Sequence, residues 1–294
     1  MQHTQYISTR GQMAAAGFTD VLVAGLAPDG GLAVPSRLPA LSPEQIEAWR
    51  PLGYAELATE VIGLFATDIP REDLAELTRA AYGPRRFPQP VVPVTWLDDV
   101  ADGLTLVGLS EGPTMAFKDL AMQFLGQAIP YVLAKHGQVL NILGATSGDT
   151  GSAAEHAFRG QEGVSVFMLS PAGRMSPVQR AQMYTLQDAN IHNIAVRGVF
   201  DDCQALVKAL SNDAEFKAAH HLGAVNSINI GRIAAQAVYY VWSWLRVTDA
   251  VEGGAPRRLP HRCLRALGQL RQYLRRLPSP VHGGADPPPH SGHQ

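Results

Sequence analysis

The sequence predicts an α/β fold, with a parallel sheet covered by helices on both faces. Three observations carry this. Short apolar runs at 91–96, 104–109, 139–143, 164–169 and 191–196 read as strands. Helical segments at 117–136, 152–158, 177–186, 201–210 and 231–247 alternate with them. Strand–helix alternation of this kind favours parallel strands joined by crossover helices. Ahead of it, roughly the first 85 residues read as mainly helical.

The helix signals can be taken in order. Ser42-Pro43-Glu44-Gln45 sets an N-cap before a proline, with Gln45 placed for a capping box. Leu57, Val61, Leu64 and Phe65 recur at helical spacing. Pro70 opens another helix, with Leu74 and Leu77 three apart and Gly83 closing it. Pro28-Asp29-Gly30-Gly31 is a turn. The division expected is a helical module at 1–85, an α/β region at 86–252 and a separate segment at 253–294.

The 294 residues are 46% hydrophobic and 17% charged, with a net charge of −2. That figure is a sum of two unlike parts. Residues 253–294 carry seven arginines and one aspartate, for +6, and residues 1–252 carry −8. A weakly acidic body excludes a basic nucleic-acid-binding body, although the tail alone could be read as a nucleic-acid arm. Two cysteines, Cys203 and Cys263, cannot build a disulfide framework. The polar N-terminus has no apolar signal region, so a cytoplasmic location is expected. The apolar stretch 233–245 contains Gln236 between Arg232 and Arg246, and reads as a buried helix rather than a membrane span. The histidines lack metal-ligand spacing, so no metal is expected.

Three segments could carry chemistry. Lys118 lies in Gly112-Pro113-Thr114-Met115-Ala116-Phe117-Lys118-Asp119, just past a strand and at the start of a long apolar helix. Open α/β sheets place ligands at such junctions. Desolvation and helix N-terminal charge can free a lysine amine there for Schiff-base chemistry. The plain alternative is a helix-start lysine reaching to solvent. Gly144-Ala145-Thr146-Ser147-Gly148-Asp149-Thr150-Gly151 joins a strand to a helix. Its glycines and hydroxyls suit a carboxylate or phosphate at a helix N-terminus, or form only a tight turn. It is neither a P-loop nor a dinucleotide fingerprint. Asn226-Ser227-Ile228-Asn229-Ile230-Gly231-Arg232 could clamp an anion, or be a capped helix start with a surface arginine.

Taken together these segments resemble threonine synthase. Thr114-Met115-Ala116-Phe117-Lys118-Asp119 looks like that family's pyridoxal-phosphate lysine motif. Thr146-Ser147-Gly148-Asp149-Thr150-Gly151 resembles its substrate-side loop, and Asn226-Ser227-Ile228-Asn229 through Arg232 resembles a later motif. Tyr6-Ile7-Ser8-Thr9-Arg10-Gly11 and Leu26-Ala27-Pro28-Asp29-Gly30-Gly31-Leu32 are also similar to it. The family places Trp and Ala where this chain has Ile230 and Gly231. The resemblance implies a fold-type II, tryptophan synthase β-like enzyme with an incomplete large domain. The implied reaction takes O-phospho-L-homoserine and water to L-threonine and phosphate, with pyridoxal 5'-phosphate as cofactor. Lys118 would carry the cofactor as a Schiff base, with Phe117 beside it. Thr146, Ser147, Gly148, Asp149 and Thr150 would hold substrate anions, and Asn229 and Arg232 the substrate phosphate. The alternatives are another fold-type II enzyme, such as a threonine or serine dehydratase, or a non-catalytic remnant.

In that family the next motif is a Gly-Asn-Phe-Gly-Asn loop, which the written frame does not contain. Residues 268–277 can be reverse-translated and read one base later. Synonymous codons then permit Gly-Asn-Phe-Gly-Asn-Ile-Cys-Ala-Gly, preceded by Val-Pro-Ser from Arg265-Ala266-Leu267. The expectation is a single frameshift between Glu252 and Arg262, leaving a truncated chain with weak cofactor binding and no turnover. The nucleotide sequence tests it directly. A one-base shift there should open a long frame containing that loop, and the lack of any such frame refutes the reading.

Overall fold

The structure, a computed structural model, describes residues 3–100, 104–225 and 228–249. Asn226, Ser227, Cys263, the expected frameshift point and the basic segment 253–294 lie outside the described residues.

The chain opens with β1 (Tyr6–Ser8), α1 (Phe18–Ala24) and β2 (Ala33–Pro35). β1 and β2 pair antiparallel, Tyr6 opposite Pro35 and Ser8 opposite Ala33. Four helices make up most of the structure in this region, and the β1–β2 pair is an addition that the reading of a mainly helical module does not contain. Three-residue strands are too short to show a period of two, so composition hides them. Their pairing is fixed by the turn between them. Asp29 Oδ1 accepts from Ser8 Oγ at 2.6 Å and from Gly31 N at 2.8 Å, and Asp29 Oδ2 accepts from Gln12 N at 3.0 Å. The two N-terminal motifs are thus one structure, closed on a single carboxylate.

Three helices follow: α2 (Pro43–Ala48), α3 (Tyr54–Gly63) and α4 (Arg71–Tyr82). Ser42 Oγ accepts from Gln45 N at the start of α2. Gly53 and Glu56 form the cap of α3, and Gly83 closes α4. Next come β3 (Val94–Trp96) and β4 (Thr105–Val107), which pair antiparallel with each other. The reading of both runs as strands of the parallel sheet is therefore corrected. Ten residues or fewer between them leave no room for a crossover helix.

The remaining elements are α5 (Lys118–His136), β5 (Leu140–Ala145), α6 (Asp149–Phe158), β6 (Val164–Pro171), α7 (Pro177–Tyr184), β7 (Ile191–Val196), α8 (Phe200–Asn212), α9 (Ala214–Ala219), β8 (Leu222–Gly223) and α10 (Ile230–Val247). β7, β6, β5 and β8 form one parallel sheet in that order. Alternate strand residues serve opposite faces, as the pleat requires. Ile142, Val166 and Met168 join the main core with α5 and α6. Leu143 and Leu169 meet Cys203 of α8 on the other face. Helices on both faces are thus observed, and the main core is continuous from Tyr6 through α5 to Leu245 of α10. α10 buries Ile230, Ala234, Val238 and Trp242, as expected of 233–245. No helix among the described residues is long and apolar enough to cross a membrane.

α5 and α6 approach closely at Gly126. A Cβ there would lie 2.8 Å from the Ala157 carbonyl carbon and 3.1 Å from its Cβ, and closer still to its oxygen. Helix backbone cannot yield as a flexible side-chain tip can. Gly126→Ala should lose about 1–3 kcal/mol from this overpacking, despite alanine's helix propensity being ~1 kcal/mol better. Urea unfolding measures it, and a variant as stable as the parent would contradict the contact.

Candidate active site

The site is made where two helices begin. β5 ends at Ala145, and the chain turns through Thr146, Ser147 and Gly148 into α6. Thr146 is buried, and its Oγ1 accepts from Gly148 N at 3.0 Å and Gly151 N at 2.9 Å. Gly148 adopts φ 142°, a conformation that excludes ordinary side chains. The turn therefore delivers Asp149 as the first residue of α6, three positions earlier than the expected helix start at 152.

Lys118 is the first residue of α5. Its Nζ donates to Asp149 Oδ2 at 2.9 Å, with the lysine side chain 19% exposed and the aspartate 48%. Nζ also lies 5.7 Å from the Phe117 ring centroid. Asp149 Oδ1 accepts from Gln179 Nε2 at 2.5 Å. The Lys118 bond, followed by its charge and by Gln179, holds the Asp149 carboxyl below the usual range against the opposing effect of burial. Beside this pair is a cleft of about 420 Å³, lined by Thr114, Met115, Phe117, Asp149, Ser176 and Gln179 among others.

Asp119 braces the approach to Lys118. Its side chain is fully buried, and accepts from Thr114 N at 2.8 Å and Thr114 Oγ1 at 2.7 Å. These bonds tighten the turn in which Met115 takes φ 56°, a conformation rare outside glycine. Gly112 has no space for a Cβ, which would meet the Asp119 side chain. Burial raises the Asp119 carboxyl, with the Thr114 bonds opposing. α7 completes the brace: Gln182 Nε2 donates to Thr114 O at 3.0 Å, and His156 Nε2 lies 3.0 Å from Gln182 O.

The structure brings Lys118, Phe117, Gly148 and Asp149 together. Ser147 is exposed at the tip of the turn and Thr150 is half-buried. Thr146 faces inward, so its acceptor capacity shapes the loop. Asn229 and Arg232 stand apart from the residues lining the cleft. Asn229 is fully buried and committed, donating through Nδ2 to Leu22 O at 2.8 Å and accepting through Oδ1 from Gly231 N at 2.9 Å. It caps α10. Arg232 is 2% exposed, which corrects the alternative of a surface arginine. Its Nε and Nη1 have no hydrogen-bond partner among the described residues, and burial pulls its pKa down to about 10. Gln179 and Ser176 were missed. The pattern Ser176-Pro177-x-Gln179 repeats the helix-start signature at Ser42, but nothing local says that its glutamine turns toward Asp149. No cluster of metal-ligating side chains occurs among the described residues.

Comparisons with known proteins agree on one family. A family profile described as "Threonine synthase N terminus" matches residues 5–82. The chain is 56% identical over 251 residues to a threonine synthase of Corynebacterium glutamicum, covering 83% of this chain and 52% of that one. It is 53% identical over 249 residues to one of Methylobacillus glycogenes, covering 83% and 52%. A crystal structure of PLP-bound threonine synthase from Brucella melitensis superposes with a TM-score of 0.78 at 44% identity, over 84% of this chain and 53% of that one. The yeast threonine synthase structure gives 0.77 at 38% identity, over 85% and 50%. The chain thus spans about half the length of the curated relatives it matches. Over the shared residues its architecture is the fold-type II arrangement of those enzymes.

α6 also carries a buried acid. Glu155 of α6 is fully buried, with Asn193 Nδ2 donating to Oε2 at 3.3 Å and no partner for Oε1 among the described residues. Burial raises its pKa from 4.5 to about 8. Folded Glu155 therefore keeps its proton where an unfolded glutamate has lost it. Its contribution to stability is full below pH 4.5 and is lost as pH rises through about 8. Relative to the parent, Glu155→Gln should gain ~2–4 kcal/mol above that pH and little near pH 4. Urea unfolding of both chains across this range checks it, and a constant difference between them would contradict it.

Proposed function

We propose that this chain carries the lysine-bearing part of a pyridoxal-phosphate-dependent threonine synthase, acting in the cytoplasm on O-phospho-L-homoserine and water to give L-threonine and phosphate. The observation that carries the reading is the Lys118–Asp149 pair at 2.9 Å, set where α5 and α6 begin, with Asp149 lining the cleft. The residues present fit the cofactor's aldehyde end. A primary amine is bonded to Asp149, which lines the cleft, and the glycine turn at 148 allows close backbone approach. When bound, pyridoxal phosphate supplies an electron sink for charge that develops beside the substrate amine.

The chain's own residues divide the remaining work. Lys118 Nζ would hold the cofactor at its aldehyde carbon and, as a free amine, would carry the proton to and from the substrate. With no cofactor on it, Asp149 holds the amine in place as an ammonium. The first backbone N–H groups of α6, from Asp149 and Thr150, with the exposed Ser147 hydroxyl, suit the substrate carboxylate. The Asp149 carboxylate itself faces lysine, so its share in anion binding is through its N–H. Arg232 is assigned to the substrate phosphate, supported by its buried, unpartnered Nε and Nη1. Asn229 acts at one remove, fixing the helix start that carries Arg232. Phe117 flanks the amine with an apolar face.

Mass spectrometry tests the assignment without needing turnover. The 294-residue chain is incubated with pyridoxal phosphate, reduced with borohydride and digested. Label should concentrate on Lys118 over Lys135, Lys208 and Lys217; equal labelling of all four would overturn the reading. If the frame near codon 252 is restored, the product should release phosphate from O-phosphohomoserine, and its Lys118→Ala variant should not. Keto-acid formation from threonine instead would mark a dehydratase.

A further inference from the structure

One wall of the cleft is α7, and one of its side chains reaches the Lys118–Asp149 pair. Gln179 Nε2 donates to Asp149 Oδ1 at 2.5 Å. Its orientation is fixed from the other side, because Ser176 Oγ donates to Gln179 Oε1 at 2.9 Å. Gln179 N donates in turn to Ser176 Oγ at 3.2 Å. An amide held this way presents its N–H₂ to the carboxylate and cannot flip without losing both bonds. The same side chain lies across Gly148. A Cβ on that glycine would come within 2.5 Å of Gln179 Oε1 and 2.6 Å of Nε2. Lys118, Asp149, Gln179 and Ser176 thus form one hydrogen-bonded line across α5, α6 and α7.

We infer that Gln179 is a positioning residue, whose amide fixes the Asp149 carboxylate against the Lys118 ammonium and whose stem sets the Gly148 turn that carries it. The inference rests on Lys118 being the reactive amine. Asp149 has two oxygens and two partners. Without Gln179, Oδ1 turns to solvent, the carboxylate gains rotamer freedom, and the 2.9 Å contact through Oδ2 loosens. An ammonium held on a carboxylate is not a nucleophile, so Gln179 controls how much of the time the amine is held rather than free. It touches neither the amine nor, in this role, the substrate, and acts only through Asp149.

Competitive labelling tests this on the full chain. Trace acetic anhydride acetylates free amines, and Lys135, Lys208 and Lys217 serve as internal references in the same digest. Gln179→Met, which keeps length and helix propensity, should raise the Lys118 labelling ratio about two- to fivefold, the scale of one charge-assisted hydrogen bond acting at one remove. Ser176→Ala should raise it less, because the amide remains but is no longer oriented. In an Asp149→Asn background, neither substitution should change the ratio further. A merely structural role for Gln179 would loosen α7 and shift labelling equally in both backgrounds, and that result overturns the inference, as does a ratio unchanged by Gln179→Met. The borohydride experiment separates the two claims. Pyridoxal phosphate failing to mark Lys118 defeats the functional reading and leaves this cycle standing. A flat cycle with Lys118 marked defeats only the inference.

Discussion

Much of the chain converges on a single ion pair between two helix starts. A lysine at the first position of a helix is electrostatically misplaced, since the unpaired N–H groups there already carry partial positive charge. Lys118 sits at one such start and close to a second, that of α6. Asp149 compensates both. It offers a carboxylate to the ammonium at 2.9 Å, and it lies where an acidic residue favours α6. Asp119 does the same for α5 from inside. The amine is thus held in place by charges that also stabilise the helices bearing it. Neutralising either carboxylate disturbs fold and chemistry together.

The pair can exist only because α5 and α6 run close to one another. Gly126 admits the backbone of Ala157, and Gly112 and Gly151 admit the Asp119 and Thr146 side chains respectively. Each contact removes a Cβ so that a polar group can be pulled inward. This explains why strained geometry gathers here. Met115 at φ 56° and Gly148 at φ 142° flank the lysine and the aspartate in sequence, and each is pinned by a buried side chain, Asp119 for one and Thr146 for the other. Strain at those turns is held by hydrogen bonds that packing protects from water.

How much of this was legible in the sequence depends on the range of the interaction. The parallel strands were readable because each apolar run is local, and 191–196 matches its strand to the residue. Lys118 and the 144–151 turn were readable because a strand end, a glycine cluster and a helix start are adjacent in the chain. The β1–β2 pair was not, since its register is fixed by Asp29, about twenty residues from Ser8. β3 and β4 were mistaken for members of the main sheet because composition reports a strand but not its partner. Gln179 was invisible for the same reason. Its local pattern specifies a helix start, and Ser176 does cap α7, but the side chain's destination lies thirty residues away.

Arg232 carries the argument furthest beyond the cleft. A guanidinium with two buried N–H groups unpartnered among the described residues is costly, and its pKa near 10 expresses that cost as a weakened hold on the charge. The charge interaction with Tyr239 opposes the shift, and burial outweighs it. Asn229 nonetheless fixes the helix start three residues earlier with both ends of its amide, so the arginine's placement is held rigidly. What supports the proposed phosphate assignment is a buried asparagine that positions an arginine with Nε and Nη1 unpartnered among the described residues. The phosphate of the proposed substrate has the charge and the acceptor oxygens to meet it. Under the proposed function the two cations differ in kind: Lys118 has its counterion in the chain, whereas Arg232 would take its counterion from what binds.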